Sequence, residues 1–140
     1  MKLVLDTDVM VAAMRSPRGA SAAILRAARS GRITLAASVP LAVEYEAVCR
    51  QPQHCMASGL ADWEVDIFLS AVIAMVEPVT THFLWRPQLR DPGDEMVLEA
   101  AVNGAADALV TFNLRDFGDA PARFKMELLL PKQVMERIIS

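Results

Sequence analysis

The feature that most constrains this chain is a set of short apolar runs, each closed by a polar or acidic residue and each followed by helical spacing. Lys2–Leu5 runs into Asp6-Thr7-Asp8, Ile33–Ala36 into Ser38-Val39-Pro40, and Ala108–Thr111 into Phe112-Asn113. Runs this short and this apolar read as strands buried on both faces. The intervening stretches read as helices. Thr7 or Asp8 can cap a helix over residues 9–14, and the alanine-rich stretch 20–29 stops at Ser30-Gly31. Ser38 caps a helix whose Pro40 suits the first turn, where its missing N–H costs nothing. Residues 60–75 repeat apolar side chains at helical spacing, residues 78–85 look extended, and Arg90-Asp91-Pro92-Gly93 is a turn before a helix opened by Asp94 and closed by Gly104. A last strand, 128–130, precedes a helix from Pro131. Strands alternating with helices predict a mainly parallel sheet in a three-layer α/β/α arrangement. At 140 residues, 54% of them apolar, the expectation is one domain over 1–140 with a full core.

The informative side chains are carboxylates at the ends of these elements. In an open parallel sheet, ligands collect outside the carboxyl ends of the strands. Asp6 ends the first strand, and Glu44 sits one turn into the Pro40 helix. Asp94 opens a helix, and Asn113 and Asp116 follow the strand 108–111. Each has an ordinary reading as well: Asp6, Asp8 and Asp94 as helix caps, Glu44 as a solvated helix acid, Asp116 as a turn residue. Acids packed together repel unless a proton or cation compensates, and a hard divalent cation with oxygen ligands is a compensation that also does chemistry.

Composition narrows the classes. No apolar run is long enough to span a membrane, and the first residues carry acids rather than a cleavage site, so neither a membrane protein nor a secretory leader is expected. Cys49 and Cys55 form no disulfide framework and have only His54 near them, which fits a reducing cytoplasm and argues against a zinc site. His54 and His82 read as surface or packing residues. A net charge of −3 excludes broad electrostatic capture of nucleic acid without excluding it as a substrate. Eleven of the fourteen basic residues are Arg, the better phosphate fork. Arg15, Arg18 and Arg90 fall near the expected mouth of the site, where they can meet a phosphate backbone or simply solubilise loops.

The stretch 3–9, Leu-Val-Leu-Asp-Thr-Asp-Val, resembles the opening of PIN domains, which usually read Asp-Thr-Asn. Ser38 followed six residues later by Glu44 is similar to their second motif, and Arg90-Asp91-Pro92-Gly93-Asp94 before an apolar helix to their third. Residues 104–111, Gly-Ala-Ala-Asp-Ala-Leu-Val-Thr, look like the fourth, and the likeness runs from residue 2 to about 117, pointing to the bacterial toxin-like branch. The resemblance implies a Mg²⁺- or Mn²⁺-dependent endoribonuclease of RNA, the toxin of a toxin–antitoxin pair, with an antitoxin protein as partner and a homodimer as the free form. Carried over, Asp6, Glu44 and Asp94 are the catalytic ligands. The fourth acidic position falls on Asn113, an oxygen ligand without the charge, and Asp116 can stand in for it. Thr7, Ser38 and Thr111 support the site. Asp107, and Asp8 in place of the common Asn, orient backbone or ligands from behind.

Two other readings stay open. A haloacid-dehalogenase-like phosphatase also begins with Asp-x-Asp after a strand, but needs a Lys ahead of its late acids, and Lys occurs here only at 2, 125 and 132. A PIN-like binding module that has lost turnover is the other, and Asn113 is what favours it.

Overall fold

The computed structural model describes residues 1–82 and 88–139. Five strands, β1 (Lys2–Leu5), β2 (Thr34–Ser38), β3 (Val76–Val79), β4 (Ala108–Val110) and β5 (Glu127–Leu129), form one sheet in the order β3-β2-β1-β4-β5. Every pairing is parallel, with Leu3 opposite both Leu35 and Ala108, and Leu5 opposite Val110. Leu3, Val4 and Leu5, like Ala108, Leu109 and Val110, are buried whichever face they point to. A strand can be apolar at consecutive positions only when both faces are covered, so the α/β/α layering follows directly.

The chain leaves β1 for β2 and β3 on one side, then returns to lay β4 on the other side of β1. The carboxyl ends of β1 and β4 therefore flank the switch point, where the connections diverge and leave a crevice. The residues at those two ends are Asp6 and Thr111, and both are buried.

The helices are α1 (Thr7–Arg15), α2 (Ala20–Arg29), α3 (Val39–Cys49), α4 (Pro52–Ser58), α5 (Asp62–Met75), α6 (Pro92–Asn103), α7 (Leu114–Phe117), α8 (Ala120–Arg123) and α9 (Pro131–Ile139). α1 packs on α2, α3 and α4, α2 on α9, and α6 against β1, β2 and β4. Three expectations shift. The cap of α1 is Asp6, whose carboxylate accepts the Thr7 N–H, so the helix starts at Thr7 rather than Val9. The cap of α6 is Asp91, which accepts the Gly93 N–H, with Pro92 in the first turn; Asp94 lies inside the helix instead of opening it. The extended segment begins at Val76 and its strand ends at Val79; the part of its expected course over 83–85 lies outside the described residues. Among the described residues, no helix is long and apolar enough to cross a membrane.

Candidate active site

Asp6 does two jobs at once. Its Oδ1 accepts the Thr7 N–H at 2.7 Å and so caps α1, while its Oδ2 accepts the Thr111 hydroxyl at 2.8 Å from the end of the neighbouring strand. Burial pushes its carboxyl above the usual range, against the lowering effect of those two hydrogen bonds. Asp8, in the first turn of α1, directs Oδ2 at the segment after β4: the N–H of Phe112 and the side-chain amide of Asn113 donate to it, each at 3.1 Å. Its other oxygen, Oδ1, is buried and has no partner. Burial first, and the charge of Asp6 second, raise Asp8 to about 6.

Glu44 reaches the same place from α3. Ser38 fixes the start of that helix by accepting the Leu41 N–H, and Pro40 sits in its first turn. The fully buried Tyr45 then locks the helix to the sheet, donating its hydroxyl to the carbonyl of Leu5. Because Tyr45 follows Glu44 and Leu5 precedes Asp6, this one bond sets the two acids relative to each other. Asp94 comes from the first turn of α6, where Asp91 already supplies the cap. It is half-buried, and its carboxyl is raised to about 6 by burial and then by the charges of Asp6, Asp91 and Asp116.

Asp6, Asp8, Glu44, Asp91 and Asp94 thus line one cleft of about 670 Å³, with Thr7 and Arg15 in its wall. Asp116 lines a neighbouring cleft of about 570 Å³, whose wall also includes Asp91, Asp94 and Arg90. Among the described residues no basic side chain pairs with Asp6, Asp8 or Asp94. Nor do any three acids, histidines or cysteines among them stand close enough together to form a ready metal-holding group. None of the three lysines lines either cleft, so the phosphatase reading lacks the lysine its chemistry asks for.

Several expected residues lie elsewhere or act differently. Asp107 precedes β4 and so sits at the opposite end of the strand from Thr111, where it accepts the Lys2 N–H at 2.7 Å; it orients backbone there and does not approach the cleft. Asn113 presents its amide nitrogen, a donor, to Asp8. Arg18 is exposed in the loop before α2, outside both cleft walls. His54, expected at the surface or in packing, lines the cleft and lies 3.4 Å from the Arg15 guanidinium. Three residues of consequence went unread: Asp91 and the half-exposed Phe112 in the cleft wall, and the buried Glu95. Glu95 accepts the backbone N–H groups of Gln88 and Leu89 and so ties down the segment leading into α6. An acid one turn into an amphipathic helix gives little sequence signal of burial; the Pro after Asp91 was the signal available for the cap.

An open parallel α/β sheet with an acidic cleft at its switch point defines the class. The PIN domain family model matches residues 2–115, and the chain belongs to that family. The fold is similar to that of a chain in the crystal structure of VapBC2 from Rickettsia felis bound to a DNA fragment from their promoter. That match has a TM-score of 0.63 at 16% identity, and covers 93% of this chain and 98% of that one. No curated protein matches it in sequence.

Proposed function

We propose that this chain is a divalent-metal-dependent endoribonuclease and the toxin half of a toxin–antitoxin pair, acting in the cytoplasm. The observation that carries the reading is the cleft lined by acids from the end of β1 and from α1, α3 and α6, none of which is paired with a basic side chain among the described residues. Folding those groups into one another's field costs stability, and a hard divalent ion removes the cost. The donor set fits such an ion: it is all carboxylate oxygen, and one of those oxygens, Asp8 Oδ1, is buried and partnerless.

Asp6, Glu44 and Asp94 would hold Mg²⁺ or Mn²⁺, with Asp116 near enough to contribute charge. When bound, the ion supplies a polarised phosphoryl oxygen and an activated water for in-line phosphodiester hydrolysis. The chain's own residues do the rest. Thr111 and the first turn of α1 fix the Asp6 carboxylate, and Tyr45 fixes the reach of Glu44. Arg15 in one cleft wall and Arg90 in the next offer guanidinium forks to backbone phosphates, with Arg18 steering from outside. Phe112, half-exposed in the wall, offers a face on which an unpaired base can stack.

The fold neighbour is a chain of VapBC2 bound to promoter DNA, which supports an antitoxin as the partner of this chain. A homodimer is the proposed free form; Val43 on α3 and Trp63 and Ile67 on α5 are large apolar side chains left exposed. The test is RNA cleavage by the purified chain across a Mn²⁺ and Mg²⁺ titration, with Asp6→Asn alongside. Metal-dependent cutting that Asp6→Asn abolishes is expected; cutting that survives chelation, or no cutting at any metal level, defeats the reading.

A further inference from the structure

The Asp8 carboxylate is gripped from one side only. On Oδ2 it takes the Phe112 N–H and the Asn113 amide, each at 3.1 Å. The Thr111 hydroxyl is 3.4 Å from the same oxygen but 2.8 Å from Asp6, so its single proton serves Asp6. Oδ1 is buried and makes no hydrogen bond of good geometry, although a buried carboxylate oxygen ordinarily does; the Val9 N–H and the Asp6 carboxyl lie beside the Asp8 carboxyl. Asp8 is also among the residues that line the cleft with Asp6, Glu44 and Asp94. One oxygen tied from behind by amides and the other bare is the arrangement of a carboxylate prepared to take a cation on its free oxygen.

Asn113 is oriented by the same chemistry. Reversing its amide would set a carbonyl oxygen 3.1 Å from a carboxylate oxygen, two acceptors with no proton between them, so the nitrogen must face Asp8. Its own oxygen therefore points away from Asp8, and Asn113 is absent from the cleft wall. We infer that Asp8 is itself a direct ligand of the divalent cation and that Asn113 is its positioning residue, not a ligand. This rests on the metal-site reading above and changes which side chains complete it. The acid and the amide face each other across a single hydrogen bond, one from α1 and one from the segment after β4. The charge of the pair belongs to the site, and which partner carries it is interchangeable.

The exchange is the experiment. Mn²⁺ affinity is measured by the free-ion electron-paramagnetic-resonance signal, with the metal-free melting temperature as the check on folding, for wild type, Asp6→Asn, Asp8→Asn, Asn113→Ala and the double exchange Asp8→Asn/Asn113→Asp. Asp8→Asn should weaken Mn²⁺ binding about a hundredfold, and Asn113→Ala by roughly tenfold through loss of positioning. The double exchange, with acid and amide swapped across the same bond, should return affinity to within about threefold of wild type. Wild-type affinity in Asp8→Asn while Asp6→Asn loses the ion overturns this inference and leaves the metal site standing. No Mn²⁺ binding by wild type defeats the underlying reading instead. If Asp8→Asn does not fold, the exchanged pair still decides, since it keeps both the charge and the hydrogen bond. A folded double variant that no longer binds Mn²⁺ overturns the interchange.

Discussion

The two ends of the same sheet handle charge in opposite ways. At the amino ends of the strands the charges of Lys2, Glu77 and Asp107 are each met by an opposite charge or a backbone group. The Lys2 N–H donates to Asp107 at 2.7 Å, and its ammonium reaches Glu77 at 2.8 Å and the Gly104 carbonyl at 3.1 Å. At the carboxyl ends, acids face acids: burial raises Asp6, Asp8 and Asp94, the charge of Asp6 raises the other two further, and among the described residues no basic side chain is bonded to them. Both ends draw on the same few residue types, so composition does not separate them. What separates them is that one end is electrostatically complete within the chain and the other, among the described residues, is not.

The largest test of that difference is charge removal at the incomplete end. Asp94→Asn should lower RNA cleavage by roughly a hundredfold or more while the fold survives, because a charged oxygen leaves the cleft. Asp91 caps α6, so the loss of an Asp94 cap cannot account for the result. A near wild-type cleavage rate would reduce Asp94 to a surface acid.

Next comes metal binding read as stability. Mn²⁺ at about a hundred times its Kd should stabilise the protein by roughly 2.7 kcal/mol, several degrees in Tm. The pH dependence should reverse with the ion. Asp8 and Asp94 titrate near 6 in the folded chain, above the unfolded value of 3.8. The folded state therefore holds more protons, and its stability falls as pH rises through that window. Metal-free protein should gain Tm on going from pH 7 to pH 5. With Mn²⁺ present the ligands must stay ionised, so the metal-induced shift should shrink over the same interval. Parallel pH curves with and without metal would mean that these carboxylates are not ligands.

How much of this the sequence announced depends on the range of the forces involved. The strands are legible because burial on both faces leaves an unbroken apolar run, as at Leu3–Leu5 and Ala108–Val110. Ser38 and Pro40 announce α3 because a cap and a first-turn proline act within one turn. α4 was missed because it buries none of its residues and so has no apolar stripe to read; its only sharp mark is Gly59 in the left-handed region at its end. The segment Asp91-Pro92-Gly93-Asp94 offers two acids that can each cap a helix, and the wrong one was chosen for α6. The grip of Asn113 on Asp8 joins positions 105 residues apart. No local rule carries that information, and only the meeting of β1 and β4 creates it.

A smaller effect should follow at the wall of the incomplete end. Phe112→Ala removes a half-exposed ring, and if bases stack there it should cost about 1–3 kcal/mol of RNA binding by the stacking magnitude. The change should appear in KM, with kcat and Mn²⁺ affinity little altered. An unchanged KM would take Phe112 out of the RNA path.

The smallest effect belongs to the complete end, and it is the control for all the others. Lys2→Met deletes the ammonium that meets Glu77 and the Gly104 carbonyl. The backbone N–H that Asp107 accepts is untouched by the substitution. Glu77 is half-exposed, so water replaces the lost cation, and an exposed ion pair of this kind contributes about 0–1 kcal/mol. Met keeps the apolar stem along the sheet edge, which limits the packing loss. Tm should therefore fall by a few degrees at most, while cleavage rate, KM and Mn²⁺ affinity stay at wild-type values. A loss of cleavage in Lys2→Met with Tm preserved would show that the paired end feeds the cleft after all, and would break the division of the sheet into a structural end and a functional one.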